Sequence, residues 1–262
     1  MNIVVSAGRI KERPLQLLLL HRVMRKRWFV HLDYRTFFPY FAHTNANKHY
    51  DDNNLLLILE AFALSYLIGS LPTAYIVVKR KSHIDIRSAG SGNVGTLNAY
   101  EVTGERLVGI VVLAVDVLKG SFAVLLTAYV WGLTFDPLSA SLVGIVIGHC
   151  FPVWLKFKGG RGLAAAAGAM LVVSWIFVAM WLVCWFVGYF FSKNIHVGNI
   201  VAIIASPLLG YVLPKETISE FTTAAFSAGN IRFVYCVMSL VLFIRHLGPL
   251  RELITSQLTD RK

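Results

Sequence analysis

The sequence is poor in acidic residues and in cysteine. It has 262 residues, with 14 aspartates and glutamates against 25 lysines and arginines, and a formal net charge of +11. Its three cysteines, Cys150, Cys184 and Cys236, lie in apolar stretches and lack the spacing of metal ligands or of a disulfide framework. We therefore expect neither a disulfide scaffold nor a cysteine metal site.

The sequence also lacks the patterns of several enzyme classes. It has no Ser-His-Asp spacing, no His-x-x-x-x-Asp box and no His-Glu-x-x-His motif, which argues against a covalent hydrolase and a zinc enzyme. Gly90-x-Gly92-x-x-Gly95 matches the dinucleotide-binding fingerprint. That fingerprint needs a strand before it and a helix after it, whereas this copy stands between two apolar segments. We expect no cofactor and no metal.

Long apolar segments are what the sequence has in abundance. Hydrophobic residues make up 56% of it, its mean hydropathy is +0.62, and runs of roughly 18 or more apolar residues recur, as in transmembrane helices. The pattern predicts an all-α integral membrane protein with about seven transmembrane helices and short cytoplasmic glycine-rich loops. The expected segments, of which the fourth is short, are 55–78, 107–131, 138–156, 163–175, 176–192, 199–214 and 229–245.

The distribution of lysine and arginine divides the chain into two regions and indicates its orientation in the membrane. We interpret the basic residues 1–53 as a poorly ordered extension, with a peripheral amphipathic anchor or a histidine metal site as alternatives, and residues 54–262 as a polytopic membrane domain. The loops after the first and third segments and the C-terminal tail carry further basic clusters. Seven crossings put these clusters on one side, which the positive-inside rule makes cytoplasmic. Their charge suits anionic lipid and anionic substrates, and we expect no nucleic-acid partner.

Two loops combine glycine with basic and small polar residues at the end of an apolar segment. The first glycine loop is Arg87-Ser88-Ala89-Gly90-Ser91-Gly92-Asn93-Val94-Gly95, and the second glycine loop is Lys156-Phe157-Lys158-Gly159-Gly160-Arg161-Gly162. Glycine lets backbone N–H groups converge on an anion, and lysine or arginine adds positive charge. Two such loops predict phosphorylated substrates at the bilayer surface. A plain glycine-rich turn and a positively charged membrane anchor are the alternative interpretations.

Charged and histidine side chains accompany these loops. Asp116 and Lys119 stand three residues apart inside the second apolar segment, on one helix face, where charge is costly unless it is paired or faces a polar cavity. The pattern is compatible with a structural ion pair and with a lysine that reaches a phosphate. His149 precedes the second glycine loop, and Arg245-His246 ends the last segment, where a histidine is suited either to packing or to hydrogen-bonding a substrate.

Residues 55–162 resemble the bacterial acyl-phosphate:glycerol-3-phosphate acyltransferases of the PlsY type. The matching motifs are Ile68-Gly69-Ser70-Leu71-Pro72-Thr73-Ala74-Tyr75, Asp85-Ile86-Arg87 with Gly90 to Gly95 and Asn98, Asp116-Val117-Leu118-Lys119-Gly120, and Gly148-His149-x-Phe151-Pro152 continuing to Gly162. The resemblance implies a seven-helix enzyme of the bacterial inner membrane that needs no cofactor. It would transfer a fatty acyl group from acyl phosphate to the 1-hydroxyl of sn-glycerol 3-phosphate, giving lysophosphatidate and phosphate for phospholipid biosynthesis.

The resemblance and the motifs together select the site residues. Acyl phosphate is already activated, so the protein needs mainly positioning and charge stabilisation rather than a covalent nucleophile. As catalytic residues we predict Arg87, Ser91, Lys119, His149 and His246. As substrate-binding residues we predict Gly90, Gly92, Asn93, Gly95, Asn98, Lys158, Gly159, Gly160, Arg161, Gly162 and Arg245, with the first loop holding one phosphate and the second holding glycerol phosphate.

The second half of the chain departs from the family pattern. Arg161 stands where the family has lysine, Pro249 where it has asparagine and Glu252 where it has arginine. The alternatives are a divergent relative that acylates another polyol phosphate or is inactive, and a transporter or lipid-binding membrane protein. The enzyme interpretation predicts that Asp116 and Lys119 end in a pocket facing the cytoplasm, whereas a channel would need them along a through-path.

Overall fold

The computed structural model describes residues 54–259, so the extension predicted for residues 1–53 lies outside the described residues. Between residues 54 and 259 the regular structure is helical, with two short 3₁₀ turns at Ile86–Ser88 and Val153–Leu155. In chain order the helices are α1 Asn54–Gly69, α2 Thr73–Ser82, α3 Thr96–Thr103, α4 Arg106–Trp131, α5 Phe135–Cys150, α6 Leu163–Val173, α7 Trp175–Ser192, α8 Ile195–Val212, α9 Lys215–Glu220 and α10 Ala228–Thr259.

Six spans in this part of the chain are long and apolar enough to cross a bilayer. They are Leu55–Ser82, Arg106–Trp131, Phe135–Leu155, Trp175–Ser192, Ile195–Val212 and Ala228–Thr255. Large apolar side chains on them face outward, such as Phe186 and Phe190 of α7, which are 61% and 53% exposed. Such exposure is unfavourable in water and favourable in lipid, so the predicted all-α membrane class is confirmed.

The predicted number of seven crossing helices is not confirmed. The fourth predicted segment is α6, whose 11 residues extend for about 16 Å at 1.5 Å per residue, roughly half the hydrocarbon thickness of a bilayer. At the last residue of α6, the Val173 carbonyl accepts a hydrogen bond from Thr223 N over 2.9 Å. The short helix therefore begins at the second glycine loop and ends beside the chain that leads into α10.

The first predicted segment is two helices, because the sequence Gly69-Ser70-Leu71-Pro72 breaks it. Proline has no N–H to continue the helical bonds, and Ser70 N and Leu71 N make the last two, to Tyr66 O and Ile68 O over 2.8 and 3.2 Å. The Leu71 carbonyl at the break accepts hydrogen bonds from Thr73 N over 3.0 Å and from Lys119 Nζ over 2.9 Å. This break places polar groups at membrane depth, where they form one wall of the site described below.

The three basic regions of the chain meet at one end of the bundle. Arg245 of α10 donates hydrogen bonds to the second glycine loop, and Arg161 of that loop contacts His196 at the start of α8. The Val94 carbonyl of the first glycine loop lies against Gly160. We call this end, where both glycine loops lie, the loop end.

Close packing of α4 on α6 brings the ion-pair helix to the second glycine loop. A Cβ built on Gly168 of α6 would collide with the backbone carbonyl of Val117 in α4. Since the obstacle is backbone, the clash could be relieved only by moving a helix. Glycine at this position is therefore a requirement of the packing.

We expect Gly168→Ala to destabilise the folded protein by about 1–3 kcal/mol, the usual range for overpacking a core. The measurement is the thermal unfolding midpoint of the purified full chain in detergent. Gly229→Ala is the matched control, because a Cβ there meets only Ser227 Oγ at 3.9 Å. Equal midpoints for the two variants would contradict the packing argument.

Candidate active site

The first glycine loop is held in shape by the side chain of Asn98. This residue is 1% exposed, and its Oδ1 accepts a hydrogen bond from Ser91 N over 2.9 Å. Its Nδ2 donates to the carbonyls of Ile86, Ala89 and Asn93 over 3.2, 3.1 and 2.9 Å. All four of these hydrogen bonds therefore join the amide to the loop backbone. Asn98 supports the loop rather than pointing to a ligand.

Arg87 is engaged within the same loop. Its Nε and Nη2 donate to Asp85 Oδ1 and Oδ2 over 3.0 and 2.7 Å, and its guanidinium carbon is 5.0 Å from the centroid of the Tyr75 ring. Hydrogen bonds donated by Arg87 lower the pKa of the Asp85 carboxyl to about 2, and the same side-chain hydrogen bonding to Asp85 raises the pKa of Arg87. Two of the five guanidinium N–H donors are used, which leaves three for a ligand.

A polar cleft, here called the central cleft, lies between the helix break, α4, the end of α5 and the second glycine loop. Its lining combines the backbone of the break with the charged side chains of α4 and with His149. The lining residues are Gly69, Ser70, Leu71, Pro72, Thr73, Val94, Asp116, Lys119, His149, Pro152, Leu155, Gly159 and Gly160.

An ion pair is buried in the central cleft. Lys119 Nζ lies 2.9 Å from Asp116 Oδ1, and the two side chains are 6% and 2% exposed. The same ammonium donates to Leu71 O over 2.9 Å, and His149 Nδ1 lies 3.8 Å from Asp116 Oδ1. Because isolated charges at membrane depth are costly, the pair compensates each partner while it fixes the helix break and faces the histidine.

The second glycine loop is packed on His149 and clamped by Arg245. Gly160 N donates to His149 O over 3.1 Å, and a Cβ on Gly160 would collide with His149 Nε2. Arg245 Nε and Nη2 donate to Gly160 O and Gly159 O over 3.0 and 2.8 Å, while its guanidinium lies 5.2 Å from the Phe151 ring centroid. Glycine and arginine thus hold this loop against the end of α5.

Arg161 belongs to a second group of side chains beside the cleft. Its Nη1 lies 3.2 Å from His196 Nδ1. Burial lowers the pKa of the Arg161 guanidinium, an effect opposed by the carboxylates of Glu252 and Glu101. Two acidic side chains, one from α10 and one from α3, therefore lie within the electrostatic reach of this arginine.

His246 lies next to this group and is fully buried. Its Nδ1 lies 2.7 Å from Leu242 O, and because a carbonyl only accepts, Nδ1 carries the proton and Nε2 is an acceptor. That Nε2 has no hydrogen-bond partner among residues 54–259. Arg161, His196 and Arg245 act on the ring electrostatically. The group Arg161, His196, Arg245 and His246 is called the arginine–histidine cluster.

The structure thus distributes the predicted site residues over three places. Lys119, His149, Gly159 and Gly160 line the central cleft, while Arg161, Arg245 and His246 form most of the neighbouring cluster. Lys158 is exposed, and Gly162 is the N-cap residue that precedes α6. The residues predicted from the first loop do not line the central cleft, to which that loop contributes Val94: they are Arg87, Gly90, Ser91, Gly92, Asn93, Gly95 and Asn98.

Two polar residues of the cleft, Ser70 and Thr73, were not predicted. They flank the break at Pro72 and line the central cleft. A proline shortly after a helix-ending glycine was the signal that polar backbone and side-chain groups gather there. Within the described part of the chain, no group of three or more His, Cys, Asp or Glu side chains is placed to hold a metal ion.

Fold and site together define a polytopic membrane protein with a buried polar cleft and two glycine loops at one end. A sequence model of one family, described as glycerol-3-phosphate acyltransferase, matches residues 59–256. The chain belongs to the glycerol-3-phosphate acyltransferase family.

Individual relatives agree with this assignment. The chain is 34% identical over 203 residues to glycerol-3-phosphate acyltransferase 2 of Thermotoga maritima, covering 76% of this chain and 93% of the relative. It is 41% identical over 151 residues to the corresponding enzyme of Moorella thermoacetica, covering 58% and 76%. The crystal structure of PlsY (YgiH), an integral membrane glycerol 3-phosphate acyltransferase in its glycerol 3-phosphate form, matches with a TM-score of 0.62 and 27% identity, covering 78% of this chain and 94% of that one.

We expect Asn98→Ala to loosen the first glycine loop, because four backbone groups lose the partner that the amide supplies. The measurement is the rate of tryptic cleavage after the exposed Arg87 in folded protein, which should rise several-fold. Asn194→Ala is the control, since Asn194 accepts from His196 N and Val197 N at the start of α8 instead. A cleavage rate unchanged from the parent chain would show that Asn98 does not hold the loop.

Proposed function

We propose that this protein transfers a fatty acyl group from acyl phosphate to the 1-hydroxyl of sn-glycerol 3-phosphate, releasing lysophosphatidate and phosphate. One observation carries the proposal: in a member of this family, both glycine loops meet a buried Lys119–Asp116 pair and His149 at one end of the membrane helices. Two phosphate-bearing substrates, one of them with an acyl chain, suit a site with two such loops at the edge of a bilayer.

Each loop has groups suited to one phosphate. Arg161, with the backbone of the second glycine loop, would hold glycerol 3-phosphate, and the acceptor nitrogen of His246 beside it would receive a hydrogen bond from the glycerol. The first glycine loop, with Arg87 and Ser91, would hold the phosphate of the donor. Arg87 can do so without releasing Asp85, because three of its N–H donors remain free of that carboxylate.

The chemistry at the acyl carbon needs little from the protein beyond position and charge. Phosphate is a good leaving group, so attack by the glycerol hydroxyl requires alignment, a proton acceptor and stabilisation of developing negative charge. His149 lies between Asp116 and Gly160 and would accept the hydroxyl proton. Lys119 would stabilise the negative charge from inside the central cleft.

The loop end would face the cytoplasm, and the protein would lie in the bacterial inner membrane. Support comes from the concentration of lysine and arginine in both glycine loops and in α10. Cytoplasmic loops carry such an excess. Water-soluble glycerol 3-phosphate would then reach the cleft directly, while the acyl chain would enter from the lipid.

A specific observation also favours a second acceptor class, another polyol phosphate. The carboxylates of Glu101 and Glu252 act on Arg161, and an anion bound there would have to share this arginine with them. An acceptor whose phosphate is accompanied by a group that binds carboxylates would fit this site better than glycerol 3-phosphate.

We expect the full chain, expressed in membranes, to form labelled lysophosphatidate from labelled glycerol 3-phosphate and palmitoyl phosphate, and none from palmitoyl-CoA. The reason is that the two glycine loops suit two phosphate groups, and that the proposed reaction depends on phosphate as a good leaving group. Product from neither donor, with folded protein, would overturn the proposed function. A panel of other phosphorylated polyols would then test the second acceptor class.

We expect Glu252→Gln to lower the KM for glycerol 3-phosphate by about two- to fivefold, the effect of removing one exposed competing charge. The measurement is KM and kcat for each variant under the same assay. Glu216→Gln changes the net charge equally but lies in the first turn of α9, outside the loop end, and should leave KM unchanged. If both variants shifted KM alike, bulk charge rather than competition at Arg161 would be responsible.

A further inference from the structure

Ser70 carries a buried hydroxyl that the fold itself does not satisfy. The residue is 0% exposed, and its Oγ has no hydrogen-bond partner in the described part of the protein. It lines the central cleft beside Lys119 and His149. A buried hydroxyl without a partner is unfavourable, and such groups are uncommon in folded proteins. The position of this one in the cleft indicates that a ligand supplies its partner.

Other buried serines of the bundle show what a structural hydroxyl does here. Ser65 lies in α1, the helix that ends at the break, and its Oγ donates to Ser141 Oγ over 2.7 Å. Ser206 Oγ donates to Ala202 O over 2.6 Å. Ser70 Oγ makes neither kind of hydrogen bond, although Ser70 N donates to the carbonyl of Tyr66 four residues earlier over 2.8 Å. The Ser70 hydroxyl therefore remains available within the cleft.

Lys119 offers a second donor in the same cleft. An ammonium has three N–H donors. One of them is donated to Leu71 O over 2.9 Å, and the ammonium lies 2.9 Å from Asp116 Oδ1 in the ion pair. At least one N–H is left over from these contacts. A neutral hydroxyl and a charged N–H thus share a cleft in which the Lys119 and Asp116 side chains are only 6% and 2% exposed. Fixed donors in such surroundings stabilise a developing negative charge far better than they do in water.

We propose that Ser70 is a further catalytic residue, whose hydroxyl donates a hydrogen bond to the acyl carbonyl oxygen as that oxygen becomes negatively charged. The inference rests on the proposed acyl transfer. In that step the acceptor hydroxyl oxygen forms a bond to the acyl carbon, its proton passes to His149, and the carbonyl electron pair moves to oxygen. Ser70 and Lys119 hold this oxyanion. Its collapse restores the carbonyl and breaks the bond to phosphate, which leaves with the bonding electrons.

A catalytic role of Ser70 can be distinguished from a packing role, because its hydroxyl has no hydrogen-bond partner among the described residues. Deleting an unpartnered buried hydroxyl is neutral or stabilising for the fold, whereas deleting a partnered one is destabilising. Ser70→Ala should therefore keep or raise the thermal midpoint. Its kcat with acyl phosphate and glycerol 3-phosphate should fall by about a hundredfold, as for loss of one oxyanion donor, while the KM for glycerol 3-phosphate should stay within about twofold.

Ser65→Ala is the matched control, since it removes a buried serine hydroxyl that has a protein partner. We expect it to lower the thermal midpoint and to leave kcat per folded molecule unchanged. Both variants and the parent are measured as the full chain in detergent, by thermal unfolding and by steady-state acyl transfer.

Three results would overturn the assignment. Unchanged kcat in Ser70→Ala would show that the hydroxyl does not act in the reaction, and a raised KM at constant kcat would show only ground-state binding. A loss of kcat that follows a fall in thermal midpoint would show a structural role. Failure of the parent chain to form product would instead overturn the proposed function, and the inference with it.

Discussion

The buried pair Lys119–Asp116 is the interaction on which the rest of the site depends. Charge inside a membrane span is tolerated only where it is compensated, and the pair compensates it within one helix at a separation of three residues. Its remaining contacts reach outward to the broken first span, through Leu71 O, and to His149 at the end of α5. One ion pair thus aligns three segments of the bundle, and the central cleft is the space that they enclose.

The two glycine loops illustrate how a motif combines scaffold with ligand contacts. The Asn98 amide is hydrogen-bonded to the backbone of the first loop, and Arg245 donates two hydrogen bonds to the carbonyls of the second. Both residues belong to the patterns that suggested phosphate binding, yet in the structure they shape the loops. Gly160 allows the second loop to lie directly on the His149 ring. The contacts proposed for anionic substrates are left to the remaining backbone N–H groups and to the guanidinium groups of Arg87 and Arg161.

Departures from the family pattern gather at the arginine–histidine cluster rather than at the central cleft. Pro249 and Glu252 follow Arg245-His246 in α10, which nevertheless continues as a helix to Thr259. The motif residues of the cleft are kept, while the side chains that surround Arg161 differ and bring carboxylates near it. The residues of the proposed reacting centre therefore follow the family motifs, and the part proposed to recognise the acceptor phosphate is the part that departs from them. Variation of this kind alters which acceptor is bound more readily than the reaction that is performed.

Hydropathy and glycine spacing are local properties, so the amino-acid sequence alone was enough to predict the membrane class, approximate helix bounds and both glycine loops. The second span, expected at 107–131, is Arg106–Trp131. Local patterns could not determine that the first span breaks or that α6 is too short to cross, since both depend on how neighbouring helices pack. Which polar groups face one another across the bundle became visible once the helices were placed in three dimensions. Ser70 stands in an apolar stretch of the sequence, yet it lines the same cleft as Lys119 and His149, which lie far along the chain. The physical reason is that charge is costly in lipid, so distant polar groups gather in one cleft.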